Sequence, residues 1–203
     1  MSSIRSNRWA IGIIGTVAAG LLIALGASQW PAEGRSKKGK RVVNVTLHNT
    51  EGDKVGRARL KPAGDGKTRV RARITEAAPE FHGFHIHAIG VCDPDAPGGP
   101  FTSAGGHLAL AGETHGAHAG DLPSLLVMED GTARLEFVTD RFEVRDLKDD
   151  DGSAVMVHAG RDNFANIPER YMSTTSPQPG PDAATLATGD AGSRYACGVV
   201  GGG

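Results

Sequence analysis

A chain of 203 residues with 22 basic and 23 acidic side chains, formal net charge −1, lacks the basic excess of a nucleic-acid binder and is long enough for one domain with a sizeable core. Aromatic residues make up only 5% while glycines number 29, so the core must rest on Val, Ile, Leu and Ala, and a turn-rich all-β protein is favoured over a helical one. The chain has eight histidines, five of them between His85 and His118, more than a bland domain needs, which points toward metal.

At the start, Arg5 and Arg8 precede an uncharged stretch, residues 9–32, with Trp9 and Trp30 near its ends. Its apolar part, 10–27, is long enough for a signal h-region and nearly long enough to span a bilayer. The expected layout is a signal peptide or membrane anchor over 1–30, a basic polar linker over 31–40 and a folded domain over 41–203. No Cys accompanies the apolar segment, which argues against a lipoprotein anchor. Arg35, Lys37, Lys38, Lys40 and Arg41 follow it, and the positive-inside rule taken alone would keep the domain in the cytoplasm.

Period-two alternation predicts strands from there on. In 68–75, Val70, Ala72 and Ile74 alternate with Arg69, Arg71 and Arg73; in 132–139, Ala133, Leu135 and Phe137 alternate with Arg134 and Glu136. Segments 42–49, 55–61, 80–87, 124–128, 154–158 and 196–200 complete about eight short strands, with turn signals at 51–53, 63–66 and 129–131. The spacing suits an antiparallel sandwich or barrel. One short helical turn is expected over 144–150. Two Gly- and Pro-rich segments, 88–123 and 159–195, break the rhythm, and structureless loops of that length are usually functional.

The histidines fall in and beside these loops. His85 and His87 at i and i+2 on a strand share a face, about 7 Å apart at Cα, and can converge on one ion. An HxH pair alone is weak. His107 sits in the first long loop, His115, His118 and Asp121 follow in HxxHxxD spacing, and His158 ends a later strand. Three imidazoles and a carboxylate make a reasonable tetrahedral zinc set. His48, alternating on an early strand, reads as a surface residue. Glu113 reads as a solvated loop residue rather than a replacement ligand.

Five strings in order, GFHIHAIGVCDP, SAGGH, HAGDL, HAGRDNF and GDAGSRYACGVVGGG, resemble the copper–zinc superoxide dismutase family, in its exported bacterial branch. The resemblance spans residues 81–203 and implies an eight-stranded antiparallel Greek-key β-barrel/sandwich with two long functional loops. It implies copper on His85, His87, His107 and His158, and zinc on His107, His115, His118 and Asp121, with His107 bridging the two ions. It further implies a Cys92–Cys197 disulfide, Arg194 as the residue that guides and orients superoxide, Asp162 as the link between a copper His and a zinc His, and His82 as a structural residue. In the family mechanism the bridging His leaves copper and takes a proton in one half-reaction and returns it in the other, so His107 and Arg194 are the expected catalytic residues.

The stretch between His115 and His118 is shorter than the family pattern. The ligand types are retained, which keeps zinc as an expected cofactor beside copper; the alternative is a copper-only enzyme with His115 and His118 as solvated loop residues. A disulfide needs an oxidising compartment, so export to a periplasm, cell wall or the medium, with or without a membrane tether, is expected over the charge count. Family members occur as monomers and as homodimers, and the resemblance leaves both open. Two other readings remain: a non-catalytic copper-binding or buffering protein on the same fold, and a metal-free β-sandwich. A buffer needs the histidines but not Arg194 or Asp162, so their presence favours the enzyme.

Overall fold

The structure, a computed structural model, describes residues 42–201. The signal or anchor segment expected over 1–30 and the linker over 31–40 lie outside the described residues. Among the described residues no helix is long and apolar enough to cross a membrane.

Strict alternation builds the sheet. The strands β1 (Val43–His48), β2 (Lys54–Gly64) and β3 (Lys67–Ile74) form an antiparallel meander, and β7 (Ala133–Thr139) pairs with the far side of β3. In β3, Thr68, Val70, Ala72 and Ile74 are buried while Lys67, Arg69, Arg71 and Arg73 are exposed. The strands β5 (Phe84–His87), β8 (Ala154–His158) and β9 (Arg194–Val199) complete a seven-stranded antiparallel sheet in the order β5-β8-β9-β1-β2-β3-β7. A second sheet pairs β4 (Glu80–His82) with β6 (Leu125–Val127).

The curled sheets amount to the expected barrel, with one refinement. The run expected over 80–87 is divided at Gly83 into β4 and β5. There the Gly83 N–H donates to the Gly160 carbonyl, and its own carbonyl accepts from His158 N–H. The run thereby exchanges one partner, β6, for another, β8. Counted as one run, β4 and β5 leave eight strands.

Two clusters of apolar side chains sit on opposite faces of the sheet. The larger is the interior, with Leu47, Leu60, Phe84, Ile86, Leu125 and Val157 among its members. A smaller one, Phe101, Ala104, Ala154, Met156 and Cys197, pins the first long loop to the outer face. The Cys92–Cys197 disulfide closes this second cluster across 105 residues of chain, which in the chain-entropy description stabilises the fold by about 4–5 kcal/mol. On β5 the alternation sends Phe84 and Ile86 inward, and His85 and His87 to the outer face under the long loops.

Two local expectations change. Residues 144–150 form hydrogen-bonded turns, Asp146 N–H to Glu143 and Lys148 N–H to Arg145, with no helix. Conversely, the second long loop contains a helix, α1 (Ala183–Thr188). Asp182 caps it by accepting from Thr185 N–H at 2.9 Å, and Gly189 ends it in the left-handed region. Six residues carry too little periodicity to announce a helix.

Candidate metal centre

The structure gathers seven of the expected side chains, all buried: His85, His87, His107, His115, His118, Asp121 and His158. Four of them, His85, His87, His107 and His158, bring donor atoms within 4.8 Å of one another. Each ring is oriented by its other nitrogen. His87 Nδ1 donates to the Gly105 carbonyl at 2.9 Å and His158 Nδ1 to the Gly192 carbonyl at 3.1 Å, which turns the two Nε2 atoms toward each other at 3.4 Å. His85 Nε2 donates to Asp162 at 2.7 Å, leaving Nδ1 facing the cluster. The His107 ring stacks on His85 with centroids 3.9 Å apart.

The second group is built from the segment that follows. His107 Nδ1 lies 2.9 Å from Asp121 Oδ1 and 3.1 Å from His115 Nδ1. His115 Nδ1 and His118 Nδ1 lie 3.2 and 3.3 Å from the same carboxylate oxygen. Ligands about 2.0–2.1 Å from a tetrahedral ion stand about 3.3 Å apart, so these spacings fit zinc. By mutual closeness alone the second group is His85, His107, His115 and Asp121, without His118. Bonding argues for His118 instead, because His85 already gives Nε2 to Asp162 and its Nδ1 belongs to the first group. Asp162 ties the two groups together, accepting from His85 and from His115 Nε2, each at 2.7 Å.

Two buried atoms decide whether this constellation suits metal. Ser153 Oγ apart, His85 Nδ1 and His107 Nε2 are the only buried side-chain polar atoms without a partner among the described residues. Both are lone pairs aimed into the first group, and a cation satisfies both. The electrostatics agree. Burial pushes His107 down to about 4 and His158 to about 3, and holds His87 well below the ordinary value, with neighbouring cationic and imidazole groups adding to the effect. Neutral imidazoles are the metal-binding form. His115 behaves oppositely: burial lowers it, but the hydrogen bonds it donates to Asp121 and Asp162 outweigh that and raise it to about 9. Both carboxylates, despite burial, are held well below the usual range by the histidines they bond.

Beside the first group an open cleft is lined by His87, His107, His158, Thr188, Asp190 and Arg194. Arg194 is half-buried and anchored by Nη1 to the Phe101 carbonyl at 2.5 Å and by Nη2 to the Gly105 carbonyl at 2.6 Å. The Gly105 carbonyl also holds His87, so the cation and a metal-facing imidazole are positioned by one backbone atom.

The family described as copper/zinc superoxide dismutase matches residues 54–200. A Mycobacterium tuberculosis protein named superoxide dismutase [Cu-Zn] is 45% identical over 175 residues, covering 81% of this chain and 72% of that one. The chain belongs to the copper/zinc superoxide dismutase family. Among solved structures, a Cu/Zn superoxide dismutase from Brucella abortus is 26% identical with a TM-score of 0.58, covering 79% of this chain and 99% of its own. A SOD-like protein from Bacillus subtilis is 26% identical with a TM-score of 0.59, covering 77% and 97%.

Within this superoxide dismutase fold the remaining expected residues are distributed as follows. His82 is buried between two carbonyls, 2.7 Å from that of His158 and 2.8 Å from that of Ala78, and so braces a strand end. His48 is exposed on β1. Glu113 accepts from Ala111 N–H within its loop and stands outside both groups. His115 and His118 are buried rather than solvated.

Sequence reasoning missed three supporting residues. Arg141, just past β7, donates to the carbonyls of His118 at 3.0 Å, Asp121 at 3.3 Å and Gly116 at 3.1 Å. Gly120 lies so close to the Ile86 carbonyl that any Cβ would collide with it, and this approach lets Ile86 N–H bond Gly120 O at 2.9 Å. Gly189, φ +61°, sits where a Cβ would strike both Asp162 and His115. The glycine in HAGDL and the one opening GDAGSRYACGVVGGG were visible signals; Arg141 had none.

Proposed function

We infer that this chain is a copper- and zinc-dependent superoxide dismutase, converting two superoxide anions and two protons to dioxygen and hydrogen peroxide. The reading assigns copper to His85 Nδ1, His87 Nε2, His107 Nε2 and His158 Nε2. It assigns zinc to the Nδ1 atoms of His107, His115 and His118 and to Asp121. The observation that carries it is the pair of orphaned lone pairs on His85 and His107 beside an anchored arginine.

Copper bound there supplies the one-electron oxidation and reduction of superoxide. The chain's own residues do the rest. Arg194 offers a fixed positive charge at the rim of the cleft to a small anion. His107 Nε2 is the atom at which a proton is held between half-reactions; its Nδ1, on the zinc side beside Asp121, would keep the ring oriented. Asp162 keeps His85 and His115 in register by holding the outer nitrogen of each.

Residues 1–30 act in this reading as an export signal or a membrane anchor, so the enzyme works outside the cytoplasm. The Cys92–Cys197 disulfide supports that placement, because such bonds persist in oxidising compartments. The purified full chain, loaded with copper and zinc, is expected to dismutate superoxide well above an equal concentration of free copper and to retain the metals in a ratio near one. Activity no higher than free copper overturns the enzymatic reading and leaves a copper buffer; a preparation that holds copper but no zinc overturns the two-metal assignment.

A further inference from the structure

The outer face of β1, β2, β3 and β7 carries a charge pattern that the metal centre does not use. Strand registers align its exposed residues in rows: Thr46–Arg57–Arg73–Arg134, Asn44–Arg59–Arg71–Glu136 and Lys61–Arg69–Val138. Neighbours stand about 5 Å apart across strands and about 7 Å apart along them. The lattice holds seven cations and one carboxylate in a chain whose net charge is −1. Like charges directly opposite each other weaken a sheet, and here Arg57 faces Arg73, Arg59 faces Arg71, Lys61 faces Arg69 and Arg73 faces Arg134. Glu136 is shared by Arg69 at 2.9 Å and Arg71 at 2.8 Å. Among the described residues the other five cations pair with no carboxylate.

Two further features indicate the counter-charge. Six of the seven cations are arginines, whose planar fork pairs bidentately with phosphate oxygens where lysine acts as a point charge, and an open groove runs between the stems of Arg57, Arg59, Arg71 and Arg73. The chain also enters the domain through β1, directly after Arg35, Lys37, Lys38, Lys40, Arg41 and the apolar stretch 10–27. An apolar segment retained in a bilayer holds the following domain at its surface, where basic residues are drawn to anionic headgroups.

We propose that this face docks on the headgroup surface of an anionic phospholipid bilayer. An array of rows suits many phosphates presented in two dimensions rather than one ligand in a pocket. The metal ligands of β5 and β8 are separated from β1 by β9 in the sheet order, so the docked face and the copper cleft belong to different parts of the sheet.

The test uses the full chain carrying Thr46→Cys with a polarity-sensitive fluorophore, mixed with phosphatidylglycerol or phosphatidylcholine vesicles. A spectral shift is expected with phosphatidylglycerol, none with phosphatidylcholine, and reversal at about 0.5 M salt. In the same labelled chain, R57Q/R59Q/R71Q/R73Q should weaken the response more than about 100-fold, since each charge near such a surface changes partitioning about five-fold. Its dismutase activity should stay unchanged and its thermal midpoint equal or higher. A milder rim variant, K61E/R134E, should weaken the response in the same direction. No shift on phosphatidylglycerol overturns the proposal. So does an undiminished shift in both variants, which would assign binding to residues 35–41, or a response to soluble inorganic polyphosphate but not to vesicles. Loss of activity or a lowered midpoint in both variants would make the arginines structural and overturns it as well.

Discussion

The two halves of the metal centre are built by opposite means. The half proposed for copper rests on strands: His85 and His87 on β5, His158 at the end of β8, with His87 and His158 turned by backbone carbonyls. Burial keeps His87, His107 and His158 neutral, and no carboxylate stands among the proposed copper ligands. The half proposed for zinc rests on the segment from His115 to Asp121, which has no helix or strand, and is organised by charge, with Asp121 and Asp162 holding His115 up to about 9. A site on a rigid sheet can be assembled from neutral groups because the scaffold forbids them to disperse. A site on a short loop needs carboxylates and clamps to stay assembled.

The largest way to break this contrast is to remove the residue both halves share. His107→Ala should lower dismutase activity more than about 100-fold and reduce the content of both metals, measured by superoxide assay and metal analysis. Retained zinc with lost copper would show that the bridge belongs to one half only. Next in size is the disulfide. Cys92→Ser with Cys197→Ser should lower stability by about 2–5 kcal/mol in urea unfolding, and should loosen the Phe101–Gly105 segment that anchors Arg194. Asp162→Asn should weaken zinc binding about 10–100-fold and copper binding less, because His115 loses one of two carboxylates whereas His85 keeps its strand.

Titration separates the halves directly. Metal uptake must displace any proton on a ligand. Below about pH 9, where His115 carries a proton, zinc affinity should fall about ten-fold per pH unit as the medium is acidified. Copper affinity should change less steeply over the same range, since His158 and His107 titrate only near 3 and 4 and burial holds His87 well below the ordinary value. Chelator competition at a series of pH values reads both slopes; equal slopes would remove the electrostatic distinction.

The same contrast explains what the sequence could tell. Strands such as 68–75 and 132–139 are legible because alternation is local and burial follows it residue by residue. The histidine and aspartate motifs are legible because they are short strings. The break at Gly83 was hidden because it depends on a change of hydrogen-bond partner between β6 and β8, which no local pattern encodes. The helix α1 was hidden by its brevity. The clamp on the zinc half was hidden for a stronger reason: Arg141 lies 20 residues from Asp121 in sequence and resembles any exposed arginine beside a turn.

That clamp gives the smallest and sharpest prediction. Arg141 bonds three carbonyls, those of Gly116, His118 and Asp121, and touches none of the donor atoms proposed for metal. Its effect must therefore pass through the shape of the loop. His118 is the loosest member of the zinc group, at 3.2 and 3.3 Å from the Asp121 oxygens, and it is the residue whose carbonyl the guanidinium holds. Arg141→Gln should weaken zinc binding about ten-fold, the low end of what supporting groups around a metal contribute, while copper affinity and the copper spectrum stay unchanged. Arg141→Lys should recover only part of the loss, because an ammonium cannot reproduce the planar fork across three acceptors. A purely structural arginine would lower thermal stability and both metal affinities together, and that outcome would remove Arg141 from the zinc half. Selective zinc loss with an unmoved copper site would show that a short loop can replace missing length with one long side chain reaching in from the turn just past β7.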